Sequence, residues 1–149
     1  YGDGKWPAEH AAKLFDDTII AVASPAFLAR NKIASPTDIA DVPLLSVEGV
    51  DWTWTTWADF LRETGVARKK LNVRRFNSYV IALQAAQDGQ GVALGWLSLV
   101  KPLIAKHDLA QVTQAQMLAP RSFHVTWSAE REPSREAKAL RDWLLTQTA

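Results

Sequence analysis

The segment Phe76 to Trp96, FNSYVIALQAAQDGQGVALGW, constrains the fold more than any other part of this chain. A short strand over 71–76 is expected to end at Asn77 and Ser78, whose short side chains can accept from the first free N–H groups of a helix. An almost wholly apolar helix over 78–88 follows. Asp88-Gly89 stops it, because glycine takes the left-handed conformation at a helix end without steric penalty. Residues 91–96 then read as a buried strand. A helix apolar nearly all round, set between two strands, has to be covered on both sides, which predicts a parallel α/β layer. In such a layer the helix N-terminus, with its free N–H groups, faces the carboxyl ends of the strands, where open α/β sheets place ligands.

The flanking sequence extends this layer. Thr18 to Ala23 is strand-like, and Ser24-Pro25 opens a short helix. Ser35-Pro36-Thr37-Asp38 repeats the device with an acid in capping-box position. Pro43 to Val47 reads as a strand, and Trp54, Trp57, Ala58 and Leu61 have the spacing of an amphipathic helix closed by Gly65. Ser98 to Lys106 is predicted helical, with Pro102 tolerated at a first-turn position. Ser122 to Ala129 alternates Phe123, Val125 and Trp127 against His124 and Thr126, so it is a strand, and Ser134 caps a last helix with the stripe Ala137, Leu140, Trp143 and Leu144. Tyr1 to Pro7, with two glycines and a proline, reads as a loop. The chain opens on Tyr1 and is expected to be a fragment.

Composition excludes several function classes. Lys+Arg 17 against Asp+Glu 16 gives a net charge of +1, with no general pull toward nucleic acid or anionic membrane. No apolar run approaches a membrane span, and the absence of cysteine removes disulfides and thiolate metal sites. His10, His107 and His124 lack metal-ligand spacing, so neither a metal nor a cofactor is expected. Gly89-Gln90-Gly91 lies after a helix and before a strand, the reverse of a phosphate-cradling loop. With no Gly-x-Ser-x-Gly elbow and no cysteine nucleophile, the chain does not read as an enzyme; a triad assembled from unrelated loops is the competing possibility.

A few residues invite a binding role beside a plainer one. Asn77 and Ser78 would cap a helix in any fold, yet with the free N–H groups there they also form a site for a carboxylate or amide oxygen. His124 points away from the apolar face of its strand, as a solvated histidine or as a wall of a binding cleft. Arg68, Lys69, Lys70, Arg74 and Arg75 form the densest basic cluster; without a basic helix or interleaved aromatics it reads as solvated, with Arg75 alternatively meeting an anionic effector. Trp52, Trp54 and Trp57 are more often core or interface than ligand box.

Phe-Asn-Ser-Tyr followed by Ala-Leu-Gln-Ala-Ala-x-Asp-Gly-x-Gly-Val-Ala-Leu-Gly resembles the effector-binding domain of LysR-type transcriptional regulators, most closely the branch of the glycine-cleavage activator and the β-lactamase regulator. Tyr1-Gly2-Asp3-Gly4-Lys5-Trp6-Pro7, Ser24-Pro25-Ala26-Phe27-Leu28-Ala29 and Leu140-Arg141-Asp142-Trp143-Leu144 agree in order and span most of the chain. The resemblance implies an α/β, periplasmic-binding-protein-like domain of two lobes. Residues 1–14 would be the end of the first lobe and the crossover. Residues 15–97 would be the complete, inserted second lobe, and 98–149 the return to a first lobe truncated at its N-terminal part, with strand 122–129 and helix 134–147. Hinges would lie at 5–15 and 96–99. The last helix, lacking its usual strands, would either self-associate or redirect onto the complete lobe.

The function implied is sensing of a small polar metabolite, amino-acid or peptide-like, between the lobes. Its contacts would be Asp3, Asn77, Ser78 and His124, with Ser46 as an addition. The partners implied are that effector and a second copy in a homo-dimer or tetramer; DNA would be met only through an N-terminal winged-helix domain absent here, and no membrane is involved. The resemblance also implies a cytoplasmic protein. The alternative is a stand-alone periplasmic-type solute-binding protein of the same fold.

Overall fold

The computed structural model describes residues 1–47, 54–66 and 70–147. Trp52, Arg68 and Lys69 lie outside the described residues. Contacts divide the chain into two compact units, Thr18–Leu118 and Tyr1–Asp17 with Ala119–Ala149. The elements in order are β1 (Glu9–Ala23), α1 (Pro25–Arg30), α2 (Pro36–Ile39), β2 (Leu44–Val47), α3 (Trp57–Glu63), β3 (Val73–Phe76), α4 (Tyr79–Gln87), β4 (Val92–Trp96), α5 (Leu97–Ala105), β5 (Ala110–Ser128) and α6 (Arg135–Thr146). The strands form one sheet of order β3-β2-β4-β1-β5, in which β2 is parallel to both β3 and β4, and β1 is antiparallel to β4.

The 18–118 unit is a filled α/β core. Ile20, Val22, Leu45 and Ala93 share one face of the sheet and pack with Leu83 and Ala86 of α4 and Val100 of α5. The alternate residues Ile19, Ala21, Leu44 and Val92 are equally buried, so both faces of the sheet are covered. Gly91 fits where no other residue would: a Cβ there would lie 2.5 Å from the Pro43 carbonyl oxygen, which also accepts from Val92 N at 2.9 Å. Gly89, at φ +72°, closes α4 as the sequence predicts.

Helix α4 departs from the expectation of cover on both sides. Ala82, Leu83, Ala85 and Ala86 are buried, but Val80 is 74% and Ile81 54% exposed. Only the sheet-facing side of the helix is packed, so its apolar circumference exceeds what this layer needs. Ser78 holds the N-cap position with extended backbone, yet its side chain makes no capping hydrogen bond. Arg74 of β3 instead reaches across to the Gln90 side chain, an exposed tie of the kind expected for a solvated basic strand.

Other boundaries moved for identifiable reasons. Trp54 falls outside α3, because Thr56 is the N-cap and exchanges bonds with Asp59: Asp59 N donates to Thr56 Oγ1 at 3.2 Å, and Thr56 N to the Asp59 carboxylate at 3.1 Å. Asp38 plays the predicted part at α2, accepting from Ser35 N at 2.9 Å. Pro102 lies well inside α5 rather than in its first turn. Buried Val100, with Leu97, Leu103 and Ile104 packed on the core, holds that helix through the proline. β1 begins at Glu9 rather than Thr18, and β5 at Ala110 rather than Ser122. Pro120 argues against a strand interior, but β5 is an edge strand, where a residue without an N–H is tolerated.

The second unit is held by aromatic contacts and edge bridges. Gly2 and Ser122 exchange backbone hydrogen bonds of 3.0 and 3.2 Å, which pin the expected N-terminal loop to β5. Phe15 stacks on Phe123 at 4.8 Å, with Tyr1 tilted against Phe123 at 5.2 Å. Ser134 Oγ caps α6 by accepting from Ala137 N at 3.2 Å. That helix clusters with 1–17 and 119–134. Its stripe stays open, with Leu140 57% and Trp143 56% exposed.

Candidate functional site

In the 18–118 unit a cavity of about 310 Å³ lies at the carboxyl ends of β2 and β4. Parallel strands put it there: β2 contributes Leu45, Ser46 and Val47, and β4 contributes Ala93, Leu94 and Trp96. The approach to α3 adds Trp54, Thr55, Thr56 and Trp57, and the first turn of α4 adds Tyr79 and Ala82. This is the position at which open α/β sheets hold ligands.

The walls are rigid. Trp54 lies 4.7 Å from Trp96 and edge-on to Tyr79 at 5.5 Å, and Tyr79 meets Trp96 edge-on at 5.6 Å. Trp57 is buried, and its Nε1 donates to the Leu45 carbonyl at 2.9 Å, tying α3 to β2. Trp96 N donates to Tyr79 Oη at 3.2 Å. Thr55 Oγ1 is buried without a hydrogen-bond partner among the described residues.

Of the residues singled out in the sequence, Ser46 lines this cavity. Asn77 is exposed and Ser78 half-buried, immediately ahead of Tyr79. Neither is in the cavity wall, but Ser78, free of a capping role, keeps its hydroxyl available at the start of α4.

Asp3 and His124 belong to the other unit. Asp3 is already engaged: its carboxylate accepts from Lys5 N at 3.0 Å and pairs with Arg121 Nη1 at 3.0 Å. The Lys5 N–H first, and then Arg121, hold the Asp3 carboxyl below the usual carboxylate range. An incoming ammonium would therefore compete with Arg121. His124 Nδ1 lies 3.1 Å from the Ser122 carbonyl oxygen, a contact that requires the proton on Nδ1 and leaves Nε2 an acceptor in the neutral ring. Trp6 meets the His124 ring edge-on at 5.4 Å.

Trp54 and Trp57, read in the sequence as core or interface more often than ligand box, both line the cavity, whereas Thr55, Tyr79 and Trp96 were not legible as site residues. The signal available was Thr56-Trp57-Ala58-Asp59, a capping box that ejects Trp54 from the helix and frees it to face the strand ends. Among the described residues no group of three or more His, Asp or Glu is placed to hold a metal ion, and no helix is long and apolar enough to cross a membrane.

The family model described as the LysR substrate binding domain matches residues 1–149. The chain is 29% identical over 148 residues to a glycine cleavage system transcriptional activator homolog of Haemophilus influenzae, covering 97% of this chain and 47% of that protein. It is 28% identical over 153 residues to the glycine cleavage system transcriptional activator of Escherichia coli, covering 100% of this chain and 48% of that protein. The chain thus spans about half the length of the curated relatives it matches. In structure it resembles the AmpR effector binding domain from Citrobacter freundii, with 27% identity and a TM-score of 0.82 over 99% of this chain and 71% of that one.

Proposed function

Since the chain belongs to the LysR substrate binding domain family, we propose that it is the effector-sensing part of a DNA-binding transcriptional regulator. The names of its relatives are those of transcriptional activators, which favours this reading over a stand-alone solute-binding protein. The observation that carries the sensing role is the cavity at the carboxyl ends of β2 and β4, with Ser46 in its wall and the uncommitted Ser78 hydroxyl at the start of α4. The proposed contacts are Ser46, Asn77 and Ser78 in the 18–118 unit, and Asp3 and His124 through their own groups in the other. The effector is a small metabolite of amino-acid or peptide-like character, whose carboxylate or amide oxygen meets the first N–H groups of α4. Sensing requires only that the effector bind two arrangements of the protein with different affinity. DNA is met by a part of the regulator outside this chain.

The test uses the full-length regulator in a transcription assay titrated with the metabolite that raises its thermal stability. Ser78→Ala removes one hydrogen bond, worth about 0.5–1.5 kcal/mol, so the half-maximal effector concentration should rise roughly two- to tenfold. Operator affinity should not change. Parent-like effector responses from both Ser78→Ala and Asp3→Asn would place the site elsewhere.

We also propose that the regulator works as a homo-dimer or tetramer, a two-fold pair being the commonest homo-oligomeric arrangement. The exposed Leu140 and Trp143 of α6 add a reason for this chain to associate. Sedimentation of the full-length protein at micromolar concentration should show a dimer or tetramer; a strict monomer would contradict this.

A further inference from the structure

The chemistry of the cavity wall narrows what can enter it. No Asp, Glu, Lys, Arg or His is among its described lining residues. Its polar atoms are mostly spent internally: Trp57 Nε1 on Leu45 O, Tyr79 Oη on Trp96 N, and Thr56 Oγ1 on Asp59. Two hydroxyls remain, Ser46 Oγ at the end of β2 and the partnerless Thr55 Oγ1. Most of the remaining surface is indole, phenol ring and aliphatic carbon, and the indoles carry N–H donors of their own. An ion drawn in among these rings would lose hydration and meet no charged side chain among the described lining residues, a penalty that a neutral apolar group avoids while gaining by leaving water. At about 310 Å³ the space holds on the order of ten waters, or one ring with a short substituent.

We propose that this cavity receives an uncharged apolar group about one ring in size, with one polar atom answered by Thr55 or Ser46, and that it excludes ions. The proposal rests on the sensing role argued above and specifies the ligand: an amino-acid or peptide-like effector would seat a bulky apolar side chain among Trp54, Tyr79 and Trp96 and keep its charged ends outside, toward Ser78. Glycine, with no side chain to offer, would leave the cavity empty.

Benzyl alcohol, toluene, acetate and methylammonium serve as probes on the full chain, read by the Trp54, Trp57 and Trp96 indole N–H resonances. Benzyl alcohol should saturate shifts at these three positions at millimolar concentration, and both ions should leave them unmoved at tenfold higher concentration. Trp54→Ala should weaken benzyl alcohol at least tenfold, followed at Trp96. Thr55→Val, close in shape, should weaken benzyl alcohol roughly two- to tenfold and toluene not at all. Saturation by acetate or methylammonium at those resonances would overturn the ligand class while leaving a sensing cavity in place. Failure of every probe to move them, or undiminished benzyl alcohol binding in Trp54→Ala, would overturn the site itself. Loss of the effector response in the Ser78→Ala transcription assay is independent of these readings, so the two ideas can fail separately.

Discussion

Trp57→Ala is expected to destabilise the 18–118 unit by roughly 4–8 kcal/mol and to lower its melting temperature by about 15 °C or more. Two effects add. Trp57 is 2% exposed, and removing a buried indole leaves a void next to the Phe60 ring; such truncations cost about 3–5 kcal/mol. The Leu45 carbonyl also loses its donor at 2.9 Å, adding about 1–3 kcal/mol if water cannot replace it. Trp57→Phe separates the two in part, since it loses the hydrogen bond but leaves a much smaller void; it should cost no more than about 3 kcal/mol. Denaturant unfolding of both variants measures the difference. Equal stabilities would mean that the bond, not the packing, holds α3 to β2. Because Trp57 also walls the cavity, the Ala variant should bind ligand poorly even where it is folded.

Gly91→Ala should also be damaging, by a different route. The new methyl would sit 2.5 Å from Pro43 O and about as close as contact allows, 3.1 Å, to Leu45 Cδ2. The carbonyl cannot step aside without breaking its 2.9 Å bond from Val92 N and moving the start of β2. Overpacking of this kind costs about 1–3 kcal/mol and occasionally more, and a backbone obstacle puts this position at the upper end. β2 and β4 supply half of the cavity lining, so their displacement should also lower ligand affinity. A variant with parent-like stability would show that the two strands can separate locally without loss.

The segment 76–96 was legible because local signals agree there. Asp88-Gly89 ends α4, residues 92–96 form a fully buried strand, and the packing of β2 between β3 and β4 is parallel as the buried pattern requires. What the pattern could not show was depth of cover. Val80 and Ile81 are as apolar as Leu83, but the sheet offers only one surface to the helix. The long strands were missed for the opposite reason. Residues 9–17 carry Glu9, Lys13, Asp16 and Asp17, and 110–121 carry three glutamines and Pro120, so neither has an inherent strand signature. Their strand form comes from pairing within the sheet, where tertiary context overrides propensity.

The candidate site divides in the same manner. Ser46 and Ser78 could be named because strand ends and helix starts are readable from turns and caps. Trp54 could be weighed only as core, interface or ligand box, and its meeting with Tyr79 and Trp96 could not be read, since the three are distant in sequence and meet only once β4 and α4 are packed. Asp3 was implied by the family resemblance alone, and its ion pair with Arg121, more than a hundred residues away, is visible only in the fold.

A metabolite sensed by this chain is expected to bind at the carboxyl ends of β2 and β4. The most direct measurement is an amide and indole chemical-shift map of the chain, recorded with the metabolite that most raises its thermal stability. The largest changes should fall on Ser46, Val47, Trp54, Trp57, Ser78, Tyr79 and Trp96. Changes confined to other parts of the chain, with these positions unmoved at saturation, would contradict it.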